Sequence, residues 1–342
     1  MIKGRKTNRA GLLRHPKNVI TAALAIVLLA IFVAADTFAQ DATPAGFNAW
    51  RDKTAKQARA RGVDANIVAK TVAKAQYLPR VVELDRAQPH GTLTLTQYLD
   101  RIAPRQRIER GRRLIREHEG LLNRIEHKYG VQKRFIVALW ATESDFGRNM
   151  GGFNVIDALS TLAFDGRREK FFTDELFRAL TILNAGHTTP EQFKGSWAGA
   201  LGQTQFMPSS FLGLSVDENG DGRRDIWNTP ADVFGSVANY LHKSGWNDAH
   251  NWGREVRLSR PVPDGVVKQK TQKSLAEWTD AGVTNKDGSP LPNVPGFSAR
   301  LIQPSKNEGR YYLVYDNFET LMKWNRSDYF GVGVGVLADA FQ

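Results

Sequence analysis

The sequence predicts a predominantly helical α+β protein with a small β-rich insert, and three observations carry that prediction. Apolar residues recur at helical spacing through most of residues 47–245. After Trp252 the pattern changes to short apolar runs separated by Pro and Gly, and helical spacing returns near Phe318. At 342 residues and 42% hydrophobic content, the chain is long enough for two or three packed units.

Residues 1–39 stand apart. Lys3, Arg5, Lys6, Arg9, Arg14 and Lys17 precede an apolar run at 19–35, and Thr37-Phe38-Ala39 offers small residues for cleavage, the pattern of an export signal. The run is slightly long for a signal core and slightly short for a spanning helix, so cleavage after Ala39 and retention as an N-terminal anchor both stay open. Either reading places the remainder outside the cytoplasm, in the periplasm.

Without the +5 carried by residues 1–39, the formal charge falls from +12 to +7, so the remaining chain is still basic. For an exported protein the natural counterpart is an acidic polymer rather than nucleic acid, and the peptides of cell wall carry carboxylates. Cysteine is absent. That excludes disulfides, thiolate metal sites, cysteine nucleophiles and a lipid-modified cysteine anchor.

From Phe47 to Ala75 the pattern is that of an amphipathic helical part spanning residues 40–104, with Leu78-Pro79 as a stop and a loop expected over 84–99. A single long helix is expected over 105–129, closed by Gly130. Helices follow at 131–143, 153–163, 168–185 and 230–245, completing a core unit at 105–250. The runs at 255–258, 266–267 and 311–315 read as strands of an insert over 251–317. Residues 318–325 and 329–341 return to helix in a C-terminal segment over 318–342.

On the helix from Val131, Ile136, Leu139 and Trp140 precede Glu143 by seven, four and three positions, so this carboxylate continues the core-facing stripe. Desolvation beside Trp140 and Phe146 would raise its pKa and keep it protonated, as a general acid for a glycosidic oxygen requires. A Glu that caps a neighbour or pairs with an Arg fits the same spacing. Asp145, two residues on, reads as a cap or an Arg partner.

Residues 194–210 mix small, amide, aromatic and hydroxyl residues. Such a run suits a groove where backbone approaches a sugar, amides bond hydroxyl and acetamido groups, and aromatics cover ring faces. It equally suits a Gly-rich turn before a helix.

Several motifs in order carry a family resemblance: Glu143-Ser-Asp-Phe-Gly147, Asp157-Ala-Leu-Ser-Thr-Leu162, Arg167-Arg168, the run 194–210, and Ser236-Val-Ala-Asn-Tyr240. Together they resemble the membrane-bound lytic murein transglycosylase B family across nearly all of the chain after residue 39. The resemblance implies a lysozyme-like core with Glu143 as sole catalytic acid/base. It implies that Ser196 and Gln205 bond that Glu or the sugar's acetamido group. It implies groove-lining roles for Arg167, Arg168, Tyr240 and Asn325, with Trp324 where a Tyr is common.

The implied reaction cleaves the MurNAc–GlcNAc bond of peptidoglycan and leaves a 1,6-anhydro end, with no catalytic cofactor. A muramidase hydrolase and a non-catalytic peptidoglycan-binding protein are the rival readings. Glycan strands are the expected partner, cell-wall synthesis or division proteins are further candidates, and a monomer is expected.

Asp217, Asn219 and Asp221 occupy positions 1, 3 and 5 of an EF-hand-like loop with Gly222 at position 6, the spacing of a calcium site. Position 12 is Asn228, so the closing carboxylate must come from elsewhere, with Asp232 as the candidate. The resemblance adds the Arg223 carbonyl. An Asx-rich turn without metal is the alternative. Gly331, Gly333 and Gly335 lack the context of a nucleotide-binding loop and read as close packing, and the seven His show no ligand spacing.

Overall fold

The computed structural model describes residues 44–87 and 93–342. The export-signal expectation for residues 1–39 lies outside them. Among the described residues, no helix is long and apolar enough to cross a membrane.

The N-terminal part contains α1 (Phe47–Ala60), α2 (Ala65–Lys70), a single tight turn at Val72–Lys74, α3 (Pro79–Arg86) and α4 (Leu95–Ile102). Pro79 does not end a helix here. It opens α3, because a first helical residue has no N–H to satisfy within the helix. The loop expected over 84–99 is helical at both ends. Thr94 caps α4 by accepting from the Gln97 N–H while Gln97 Oε1 accepts from the Thr94 N–H, and Leu95, Tyr98, Leu99 and Ile102 turn inward. The Thr-Leu alternation had concealed that capping box.

The single helix expected over 105–129 divides at His118 into α5 (Arg105–Glu117) and α6 (Glu119–Tyr129). Gly130 closes α6 in the left-handed conformation. Next come α7 (Lys133–Ser144), β1 (Phe153–Asn154), α8 (Val155–Asp165), α9 (Glu169–Asn184), β2 (Lys194–Gly195), α10 (Pro208–Leu214) and α11 (Pro230–Lys243). Strands β1 and β2 form a small antiparallel pair with Phe153 opposite Gly195.

The β-rich unit comprises β3 (Gly253–Leu258), α12 (Asp264–Lys268), β4 (Gln272–Ser274), α13 (Leu275–Asp280), β5 (Val283–Asn285), β6 (Ser298–Ile302) and β7 (Tyr311–Val314). Its antiparallel sheet runs β4-β6-β7-β3-β5. Val266 and Val267, expected in a strand, lie in α12, where Pro263 at the N-cap sets a helical start. Leu275, Trp278, Val283, Leu301 and Leu313 give this unit its own apolar cluster.

Two last helices, α14 (Asp316–Trp324) and α15 (Asp328–Ala340), leave the sheet and rejoin the main core through Phe318, Leu321, Trp324, Phe330, Val334 and Leu337. Helix α15 packs on both α7 and α4. The C-terminal segment therefore lies against the helix that carries Glu143.

Candidate active site

Helix α7 is held by burial. Phe135, Ile136, Val137, Ala138 and Leu139 are wholly inaccessible, and each large apolar side chain of this kind contributes about 1.5–3 kcal/mol. Glu143 lies one residue before the end of that anchored rod, partly open to solvent but enclosed by protein. Burial pushes its pKa up to about 8, and the hydrogen bond from Trp324 opposes that rise.

Trp324 Nε1 donates to Glu143 Oε1 at 2.7 Å. The indole lies against Tyr240, with ring centroids 4.5 Å apart, and against Phe206 at 5.3 Å. The Tyr240 hydroxyl donates to the Lys323 carbonyl and so ties α11 to the end of α14 beside the indole. Burial first and the Glu143 charge second push the Tyr240 pKa up to about 12. From α4, Tyr98 also feels the Glu143 charge, and its buried hydroxyl has no hydrogen-bond partner among the described residues.

Tyr98 of α4, Tyr240 of α11 and Trp324 of α14 thus belong to the surroundings of Glu143. Trp140 and Phe146, which the sequence placed beside the carboxylate, are committed to other partners. Trp140 packs edge-on to Phe146 and Phe234 and donates its indole N–H to Gln203. Gln203, which the sequence did not single out, also donates to the Trp227 carbonyl and so braces the 194–210 loop.

Asp145 ends α7 in the left-handed region at φ 51°, and Phe146 follows at 60°. Two consecutive non-glycine residues in that region store backbone strain beside the carboxylate. Arg107 and Arg148 pair with Asp145 and hold the turn. Asp145 is therefore occupied as a cap with two cationic partners.

Within 194–210, Ser196 Oγ is buried and accepts from the Ala198 and Ala200 N–H groups. Gln205, at φ 50°, donates its amide to the Met150 and Gly202 carbonyls. Neither side chain bonds Glu143 among the described residues. The close backbone approach expected of the glycines here is spent inside the protein, since a β-carbon on Gly195 would meet the Ala200 carbonyl at 2.2 Å.

Arg167 makes a two-point pair with the buried Asp85 of α3, and Arg168 lays its guanidinium over Phe171, 4.1 Å from the ring centroid. The Arg167–Asp85 pair joins the α8–α9 turn to the N-terminal part, whereas the Arg168 contact stays within the start of α9. Asn325 is buried directly after α14, next to Trp324.

In the loop at 217–232, Asp217 accepts from the N–H groups of Gly220, Asp221 and Gly222. Asp221 accepts from Arg223 N–H and from the Asn219 amide. The wholly buried Asp232 takes the Glu218 N–H on one oxygen and the Asp225 N–H on the other, tying the loop to the start of α11. Among the described residues no three His, Cys, Asp or Glu side chains gather as a metal cluster. A cation here would need the Asn219 amide and a backbone carbonyl to complete its oxygen set.

The model of the transglycosylase SLT domain family matches residues 46–339, from the first turn of α1 to the end of α15. The chain belongs to this family. Membrane-bound lytic murein transglycosylase B of Escherichia coli K12 is 35% identical over 227 residues, covering 66% of this chain and 61% of the relative, so the chain spans about three fifths of that protein's length.

Among solved structures of this family, SltB3 of Pseudomonas aeruginosa in complex with NAG-NAM-pentapeptide superposes with a TM-score of 0.83 at 40% identity, over 87% of this chain and 80% of that one. The Escherichia coli lytic transglycosylase Slt35 in complex with calcium superposes with a TM-score of 0.72 at 30% identity, over 85% and 92%. The transglycosylase SLT domain of this chain accordingly has the lysozyme-like, predominantly helical α+β fold that the resemblance implied.

Proposed function

We propose that this protein is a lytic transglycosylase that cleaves the β-1,4 bond between MurNAc and GlcNAc in peptidoglycan and leaves 1,6-anhydroMurNAc ends. This reading rests on the carboxyl of Glu143, enclosed at the end of α7 and bonded by the Trp324 indole rather than by a cationic partner. With a pKa pushed up to about 8, Glu143 is protonated near neutral pH and able to donate to a glycosidic oxygen.

Glu143 gives its proton to the oxygen leaving C1 of MurNAc, and the C1–O bond breaks with its electron pair on that oxygen. The acetamido oxygen of the same sugar covers C1. The Glu143 carboxylate then removes the C6 hydroxyl proton as O6 closes on C1 and displaces the acetamido oxygen, which leaves with its electron pair. One carboxylate suffices because the substrate supplies its own nucleophile, unlike the paired carboxylates of most glycosidases. Asp145, the nearest second carboxylate in sequence, is engaged by Arg107 and Arg148, which favours this reading over a two-carboxylate muramidase hydrolase.

Ser196, Gln205, Arg167, Arg168, Tyr240 and Asn325 are proposed to line the groove. Ser196 and Gln205 shape the 194–210 loop, Arg168 offers positive charge to the carboxylates of wall peptides, and Arg167 is held in place by Asp85. A wall-binding protein without activity would keep such a groove, and turnover separates the two. Cleavage of purified murein by the wild-type protein but not by Glu143→Gln is the expected result.

Calcium is proposed at the 217–232 loop, held by Asp217, Asn219, Asp221 and the Arg223 carbonyl, with Asp232 closing the set. Each Asp232 oxygen keeps a second lone pair beyond the N–H bond it accepts. Support comes from the loop's fold, in which Gly220 and Gly222 turn at φ 77° and 87° so that N–H groups converge on Asp217. The ion would neutralise these carboxylates and clamp the loop onto α11, a structural role. Glycan strands in the periplasm are the proposed partner and place of action, with a monomer acting alone or recruited by cell-wall synthesis or division proteins.

A further inference from the structure

We propose that Trp324 is a positioning residue that assigns the catalytic proton to one oxygen of Glu143, reserving Oε1 as a permanent hydrogen-bond acceptor and leaving Oε2 to exchange the proton with substrate. The inference rests on Glu143 being the acid/base, and it adds a role for a residue from the C-terminal segment. Its basis is the 2.7 Å bond from Trp324 Nε1 to Glu143 Oε1.

An indole N–H is a donor only. A protonated carboxyl oxygen is a poorer acceptor than its partner oxygen. A short N–H bond on Oε1 therefore favours the neutral acid whose O–H lies on Oε2. A tyrosine hydroxyl at this position could either donate or accept, and so would leave the two oxygens interchangeable.

The indole is not free to turn away from Oε1. Trp324 is 6% exposed and its ring is held by Phe206 and Tyr240, whose hydroxyl in turn grips the Lys323 carbonyl one residue before it. Three segments far apart in sequence thus fix the donor. Across the reaction the same bond persists. When Oε2 gives its proton to the leaving oxygen, the charge that forms on Glu143 is met by an N–H already in place, and when Oε2 recovers a proton from the C6 hydroxyl, the starting state returns.

The test replaces Trp324 by β-(3-benzothienyl)alanine, which keeps the ring volume and lacks the N–H, with Trp324→Phe as the genetically simple companion. In both, the high-pH limb of murein cleavage should move up by roughly one unit, and turnover at neutral pH should fall about three- to tenfold, because the carboxylate has lost a charge-assisted bond. A limb that coincides with that of the wild type in the isostere overturns the inference.

A second measurement needs no variant. The ¹⁵N resonance of the Trp324 indole in the wild-type protein should titrate with the midpoint of that limb, and a resonance indifferent to pH across it contradicts the assignment. Glu143→Gln separates the role of Glu143 from that of Trp324. If that variant cleaves murein, the reading of Glu143 itself fails. If it is inactive while the limb and the resonance stay fixed, only the role of Trp324 fails.

Discussion

Gly335 lies flat against the indole of Trp252, so close that a β-carbon would stand 2.2 Å from Cδ2. Gly331 and Gly333 meet Phe318 and Tyr98 in the same way, at 2.6 and 2.8 Å. The alternation of Gly and Val along α15 is thus a packing device that lets a helix approach three aromatic rings. Gly335→Ala should cost about 1–3 kcal/mol by overpacking and lower the melting temperature by roughly 5 °C. A thermal melt checks this, and an unchanged midpoint would show that α15 does not sit so tightly.

Glu143 should also leave a mark on stability. Its pKa is pushed from the ordinary 4.5 up to about 8. A carboxyl group raised in this way contributes stability fully below about pH 4.5 and loses that contribution as pH climbs through 8, because the folded state holds a proton that the unfolded chain releases. Glu143→Gln, permanently neutral, should melt higher than the wild type at pH 9 by a larger margin than at pH 5. Equal margins would show that the carboxyl is not desolvated.

Asp145→Asn should preserve murein cleavage. Its carboxylate is partly exposed and serves Arg107 and Arg148, so the loss should be within about 1 kcal/mol of stability. Assays beside Glu143→Gln decide the matter. Equal loss of activity in the two variants would favour a hydrolase with two carboxylates.

Adding a chelator to the calcium-loaded protein should lower its melting temperature, and Asp217→Ala should make the protein indifferent to calcium, since a ligand that binds only the folded state stabilises it by mass action. Differential scanning calorimetry with and without chelator reads the effect. No change in midpoint would leave the 217–232 loop as an Asx-rich turn.

Much of the fold was legible because α7, α8, α9 and α11 bury stripes at helical spacing, and periodicity reports such stripes directly. Residues 84–99 were not legible as helix ends, since Pro89, Gly91 and the alternating Thr-Leu run read as a loop and masked the Thr94–Gln97 capping box. The break at His118 was equally hidden, because both flanking segments keep helical composition.

At the site, Glu143 stood out as a carboxylate on an apolar stripe, whereas its hydrogen-bond donor did not. Trp324 lies 181 residues away, and only the return of α14 to the core brings the two together. Local spacing could name Trp140 and Phe146 as neighbours but could not show that Gln203 and Phe234 already claimed Trp140. The cue to Trp324 was its place beside Asn325, at a position where the resemblance led to an expected Tyr.

A transglycosylase and a hydrolase leave different ends on the same glycan strand, so the product distinguishes them. Purified peptidoglycan digested by the protein and analysed by mass spectrometry should yield muropeptides ending in 1,6-anhydroMurNAc, about 18 mass units lighter than their hydrolysed counterparts because no water is added. Reducing MurNAc ends would contradict the account and identify a hydrolase, and an undigested polymer would identify a protein that binds the wall without cutting it.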